Sequence, residues 1–475
     1  MKKLIASLLA LSLVIPPVWA SNLPDLGESS RQYLSDKQER ELARAIMRDV
    51  YASPLFLSDP EVEAYLNGIG AKLSSESSRS ERSFTFFAVR DPSINAFALP
   101  GGFIGVHTGL IQTAENESEL AGVLAHEIAH VSQEHLSRMI AAQDQSYLPT
   151  LAAIAVAILA ARSNANVGSA AIATAQALNI QSQLNFTREH EREADRVGLE
   201  TLTSAGFDPA GLSSFFNRLQ RANRLYDTNA PDYLRTHPLN SQRIADMDAR
   251  VEKLPYRQVK DSIEFHLVRA RLIANEGLAE DAVRRFQDQI KQKKTLFEAA
   301  SRYGLSIALS RQAKYAEAEA ELAKALKFSQ SPMLLNLQAE LAGKTGNTSI
   351  AIERYRSGIA RHPHYKPLLY GYVDALILAG RAREAAEFAA TKTTAWPDDA
   401  RLWKLLARAE ASLNHKLASH RAEAESLAVM GNLPAALEQI NIGLKAGDGN
   451  FYELSSAEAR RREWQAMLAA ETAKK

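Results

Sequence analysis

Residues 120–135 read Leu-Ala-Gly-Val-Leu-Ala-His126-Glu127-Ile-Ala-His130-Val-Ser-Gln-Glu-His135, a run with few ways to fold. As a helix it stacks His126 and His130, four residues apart, on one face where both imidazoles can bind a single metal ion. Glu127 then points beside that face, where a carboxylate can take a proton from a metal-activated water, the part of a general base in metal-assisted hydrolysis. The helical reading has separate support, because Leu120, Leu124, Ile128 and Val131 make an apolar stripe away from the histidines. One side of the helix is therefore expected in the core and the other free for chemistry. The competing reading is an ordinary surface helix that carries His-Glu-x-x-His by chance.

Composition narrows the metal chemistry. The 475 residues include no cysteine, so disulfides and thiolate ligands are excluded, and zinc here would have to be held by histidine and carboxylate. With 56 basic and 55 acidic residues the net charge is +1, which gives no electrostatic footprint for nucleic acid or an anionic membrane. The length suggests two to four domains. Residues 1–20 carry Lys2 and Lys3, a short apolar run, Pro16-Pro17 and the small-residue end Val18-Trp19-Ala20. This is the pattern of a secretory signal peptide cleaved after Ala20, too short in its apolar part to be a membrane span.

Apolar spacing predicts helix over 36–73, with Leu42, Ile46 and Val50, then Val62, Tyr65, Leu66 and Ile69. Strand signals follow at 84–89, 95–99 and 103–106, broken by Asp91-Pro92 and Pro100-Gly101-Gly102, and predict a small antiparallel sheet. The middle strand ends on proline and is a plausible sheet edge to which a peptide could add; alternatively Phe97 and Leu99 simply fill core. Beyond the histidine helix, residues 148–161 are almost wholly apolar and 167–178 rich in small residues. The segment 148–178 is read as a buried helical pair packed through small residues, with a lid or a peripheral membrane contact as the alternatives.

A catalytic zinc site needs a third protein ligand and one open position. Residues 185–198 are dense in candidates. Helical spacing puts Glu191 and Asp195 on one face, so that one can ligate while the other orients a histidine. Glu189, His190 and Glu193 compete, and without the upstream histidines the run would read as a solvated helix face.

Together, Ala125-His126-Glu127-Ile128-Ala129-His130 and Glu191-Arg192-Glu193-Ala194-Asp195 resemble the M48 family of zinc metallopeptidases, with its His-Glu-x-x-His and downstream Glu-x-x-x-Asp. The turn Ala205-Gly206-Phe207-Asp208-Pro209 is also similar to that family. The resemblance implies one zinc held by His126, His130 and Glu191, with Glu127 as general base and Asp195 supporting the metal-binding histidines. Thr236-His237-Pro238-Leu239-Asn240-Ser241-Gln242-Arg243-Ile244 is similar to a His-Pro segment of many M48 sequences. On sequence alone, a histidine before proline is a turn residue. Resemblance to an exported, repeat-bearing subgroup implies instead that His237 occupies the open metal position until it moves. Arg243 is read as a solvated helix residue, with stabilisation of an oxyanion or substrate carbonyl as the alternative.

From about Asp261 the sequence is helical to its end. Gly346 and Gly380, Ala351 and Ala385, and Pro363 and Pro397 are each 34 apart, the tetratricopeptide (TPR) period. Drifting spacings elsewhere allow about four to six such repeats, whose concave surface suits protein segments. The fold class expected is therefore α+β: a zincin-type metallopeptidase domain over 21–258, mostly helical with the small antiparallel sheet, followed by an all-α TPR solenoid over 261–475. The M48 subgroup resemblance implies a periplasmic zinc endopeptidase with chaperone-like activity. Its clients would be misfolded or stalled outer-membrane β-barrel proteins, and its partners the β-barrel assembly machinery and the lipopolysaccharide-transport barrel. The rival reading is a mainly non-proteolytic TPR chaperone or scaffold with a latent peptidase domain.

Overall fold

The computed structural model describes residues 35–142, 188–225, 232–292 and 297–472. The expected signal peptide and the apolar segment 148–178 lie outside these described residues. The expected helix over 36–73 is two helices. The first, α1 (Asp36–Ala52), opens on a reciprocal Ser35–Gln38 capping box. The second, α2 (Pro60–Ser74), opens where the Asp59 carboxylate accepts from the Glu61 and Val62 amides, with proline in the first turn.

Strands β1 (Thr85–Val89), β2 (Ala96–Leu99) and β3 (Phe103–His107) form one sheet in the order β1-β3-β2. The expected antiparallel sheet is mixed. Strand β2 pairs antiparallel with β3 through the tight Pro100-Gly101-Gly102 turn, but β1 pairs parallel with β3, Thr85 opposite Phe103 through Val89 opposite His107. Alternation of residue types marks where strands lie; it carries no information on the crossover that inserts β3 between the other two. Among the described residues β2 pairs on one side only, so it is an edge strand, and Phe97 and Leu99 are nevertheless buried. The strand therefore lies at a sheet edge among the described residues while its side chains fill core.

After α3 (Thr108–Thr113) comes the histidine helix α4 (Glu117–Ser132), capped by Asn116. Every residue from Glu117 to Ser132 is buried. The expectation of one free face is thus corrected: the apolar stripe packs into the core with Leu66, Ile104, Leu212 and Phe215, and other elements cover the histidine face. A short helix, α5 (His135–Ala142), follows directly. Helix α6 (Arg188–Ser204) crosses α4 at Gly198, where a Cβ would stand 3.1 Å from the His126 Cα and backbone nitrogen. A Cβ there would be tighter than most real contacts, so glycine favours this close approach of the two helix backbones. Helices α7 (Ala210–Leu225), α8 (Asp232–Thr236) and α9 (Ser241–Val251) complete the domain.

The remainder is six helical hairpins among the described residues: α10 (Ile263–Asn275) with α11 (Ala279–Lys291), α12 (Glu298–Arg311) with α13 (Tyr315–Ala325), α14 (Pro332–Lys344) with α15 (Thr348–Arg361), α16 (Lys366–Leu378) with α17 (Ala382–Ala395), α18 (Ala400–Ser412) with α19 (Lys416–Val429), and α20 (Leu433–Leu444) with α21 (Phe451–Thr472). Four successive first helices begin at Glu298, Pro332, Lys366 and Ala400, a constant step of 34. The turns inside three hairpins repeat the step at Gly346, Gly380 and Asn414, all with left-handed backbone, which glycine and asparagine accept at a helix end. The solenoid curls around the first turn of α2. There Glu61 accepts from Asn336 Nδ2 at 2.7 Å and from the Tyr365 hydroxyl, and Arg271 bonds both Asp59 oxygens at 2.9 and 2.7 Å.

Candidate metal centre

Four buried side chains converge where α4, α6 and the segment after α8 meet: His126, His130, Glu191 and His237, whose donor atoms all lie within 4.8 Å of one another. His126 Nε2 is 3.0 Å from His130 Nε2, 3.5 Å from Glu191 Oε2 and 3.4 Å from His237 Nδ1. Glu191 Oε1 is 3.4 Å from His130 Nε2 and 3.0 Å from His237 Nδ1. Corners of a tetrahedron around zinc, with bonds of about 2.0–2.1 Å, are about 3.3 Å apart. Three imidazoles and one carboxylate at this spacing fit zinc in both donor type and geometry.

The buried Glu191 and Asp195 carboxylates supply negative charge that would offset a dication. Burial pulls His126 down, but the Asp195 and Glu191 carboxylates outweigh it and lift the imidazole to about 9. Burial prevails at His130, which falls to about 3. Burial opposes ionisation of Glu191 too, yet the facing imidazoles of His237, His126 and His130 hold it well below the usual carboxylate range. Glu127, fully buried beside the cluster, is raised above the usual range by that burial and lies against the Ala98 backbone of the edge strand β2.

Asp195 stands behind the cluster, its Oδ1 3.1 Å from His126 Nδ1. Arg243 is not solvated. It is 3% exposed and donates to both Asp195 oxygens, with its Nη1 2.8 Å from Glu191 Oε2 and bonded to the Pro238 carbonyl. The Asn240 cap starts α9 so that Arg243 lies in its first turn and points back into the domain. In this structure the guanidinium is engaged by the two carboxylates.

His237, the turn residue of the sequence reading, is a full member of the cluster. Its Nδ1 faces the donor atoms and its Nε2 is 3.4 Å from Glu127 Oε1, so one ring spans the gap between the metal position and the candidate base. Tyr233, one helical turn earlier, stacks on it at 4.7 Å. Of the rival ligands, Glu189 is exposed, His190 stacks on His135 at 4.5 Å, and Glu193 bonds His135 and Arg138; none joins the four. The sequence reading assigned nothing to Tyr233, for which no motif exists, or to His135. For His135 the signal was a third histidine five residues after His130.

Comparison with known proteins gives matches over both parts of the chain. Residues 60–251 match the model of Peptidase family M48, and residues 252–422 match a tetratricopeptide repeat model. The β-barrel assembly-enhancing protease of Escherichia coli is 32% identical over 452 residues, covering 93% of this chain and 91% of that protein. The putative β-barrel assembly-enhancing protease of Vibrio cholerae is 32% identical over 441 residues, covering 91% of each. The mitochondrial metalloendopeptidase OMA1 of Schizosaccharomyces pombe is 30% identical over 225 residues, 47% of this chain and 63% of that protein.

Proposed function

Since the chain belongs to peptidase family M48 and aligns over nearly its whole length with a β-barrel assembly-enhancing protease, we propose that it is a periplasmic zinc endopeptidase that promotes assembly of outer-membrane β-barrel proteins and degrades misassembled ones. The observation that carries the reading is the convergence of His126, His130 and Glu191 beside a buried Glu127 under an edge strand. In this reading residues 1–20 are removed on export, 21–258 form the peptidase domain and 261–475 the repeat domain. The assembly machinery and the lipopolysaccharide-transport barrel are the proposed partners, reached through the solenoid.

Bound zinc would supply a Lewis acid and lower the pKa of water. The free edge of β2 binds the substrate backbone in extended form, which lays a scissile bond over Glu127. Glu127 accepts a proton on its carboxylate and delivers it to the leaving nitrogen; its raised pKa, from burial, suits both halves of that transfer. Asp195 and Arg243 hold His126 in place. The His237 imidazole excludes water and substrate until the segment carrying it moves.

A second reading, a chaperone with a latent peptidase, is favoured by that covering histidine together with a groove of about 520 Å³ where the solenoid meets α2, lined by Glu61, Arg271, Lys344, Tyr370, Arg401 and Arg408 among others. One experiment separates the two. Glu127→Gln in the mature protein is expected to keep stoichiometric zinc and lose casein cleavage; retained cleavage removes the proposed mechanism, and rescue of barrel assembly by this variant assigns that activity to the repeats.

A further inference from the structure

We infer that His135 and Glu193 are positioning residues for His130, forming a second outer support of the metal cluster that parallels what Asp195 and Arg243 do for His126. The inference rests on the metal reading above.

The chain path is built for it. Helix α4 ends at Ser132, and Glu134 takes a left-handed backbone, φ 53°, that is unusual for a residue with a side chain. The surroundings fix that turn: Glu134 Oε1 is 2.6 Å from Arg79 Nη1, and its carbonyl accepts from the Arg138 amide at 2.9 Å. The turn separates the two helices, and across it the His130 and His135 rings meet edge to face with centroids 4.9 Å apart. His135 is wholly buried, and His190 stacks flat against it.

For a metal-bound His130, hydrogen-bond chemistry orders the protons along the row. His130 Nε2 points into the cluster, so a neutral, metal-binding His130 carries its proton on Nδ1. That Nδ1 is 2.9 Å from His135 Nδ1, so His130 donates and His135 accepts. His135 must then carry its own proton on Nε2, which is 3.2 Å from Glu193 Oε2 and donates to it. Arg138 Nη1, 2.8 Å from the same oxygen, closes the row. With His130 binding metal through Nε2 and His135 neutral, this assignment gives each of the three contacts one donor and one acceptor. His135 is not among the four converging donors, which leaves orientation of His130 as what its place provides.

The supports differ in kind. His126 faces a carboxylate directly, whereas His130 faces a neutral imidazole with the carboxylate one residue further out. Outer partners of metal-binding histidines typically account for about 10–100-fold in metal affinity.

The test is zinc affinity, by chelator competition, and the visible spectrum of the cobalt-substituted protein, measured on the mature chain. His135→Ala and Glu193→Gln are expected to weaken zinc binding by about 10–100-fold and to alter the cobalt bands. His135→Gln, whose side-chain carbonyl can accept from His130 Nδ1, is expected to recover most of the affinity. If His135→Ala misfolds, Glu193→Gln and His135→Gln carry the comparison. Tight zinc binding in the wild type with unchanged affinity and spectrum in Glu193→Gln and in the folded His135 variants overturns the inference alone. A wild type that binds no stoichiometric metal overturns the metal reading itself.

Discussion

Arg243 grips Asp195 through two hydrogen bonds of 2.7 Å, and 48 residues separate the pair in sequence. The bond ties α9 to α6 and places the carboxylate 3.1 Å from His126 Nδ1. Planar, two-pronged recognition of this kind is specific to arginine. Arg243→Lys is therefore expected to fold yet lose about 10-fold or more in zinc affinity. Arg243→Ala, which leaves two buried carboxylates without their cation, is expected to cost about 3–5 kcal/mol of stability. Chelator competition and denaturant unfolding measure the two effects, and a lysine variant with wild-type zinc affinity would show that charge alone suffices.

At the helix crossing, a Cβ on Gly198 would stand 3.1 Å from the His126 backbone, so a side chain there must push the helices apart. Gly198→Val is expected to push α6 off α4, widen the spacing between Glu191 and the two histidines, and lose metal affinity while costing about 1–3 kcal/mol of stability. Gly198→Ala should lie between. Zinc affinity unchanged in the valine variant would mean that the backbone approach does not set the site.

Docking of the solenoid on α2 should depend on pH. Glu61 is wholly buried among Asn336, Tyr365, Tyr303, Arg271 and Asp59, and burial raises it from 4.5 to about 7 against the pull of Arg271 and of its hydrogen bonds. Burial raises Glu63 to about 7 as well, despite Arg401. A carboxyl with a raised folded value binds its proton more tightly when docked, so this contribution is complete below about pH 4.5 and lost as pH rises through 7. Unfolding midpoints should accordingly fall between about pH 5 and pH 8, and Glu61→Gln should flatten the profile. A slope unchanged by that substitution would assign it to other groups.

How far these features could be read in advance depended on distance along the chain. The His126–His130 pair was legible because a single helical turn sets it, and the 34-residue step because stacked hairpins repeat their own turn residues. Glu191 could be separated from Glu189, His190 and Glu193 only by resemblance, since spacing within one helix does not say which turn faces another. Arg243 looked solvated because its burial comes from α6, and the Glu61–Tyr365 contact, 304 residues apart, leaves no local trace. The parallel pairing of β1 with β3 was hidden for the same reason.

Removing His237 should open the site. The His237→Ala variant is expected to cleave casein several-fold faster than the wild type, with Glu127→Gln added as the control that abolishes the gain. Equal or slower cleavage with zinc still bound would argue against a covering role.

The central claim is that His126, His130, Glu191 and His237 hold one zinc ion together. X-ray absorption at the zinc edge of the mature protein, compared with His237→Ala, addresses it directly. The expected result is three imidazole nitrogens and one carboxylate oxygen at about 2.0–2.1 Å in the wild type, and two imidazoles in the variant. An imidazole count that does not change on removing His237, or a wild-type protein without stoichiometric zinc, would contradict it.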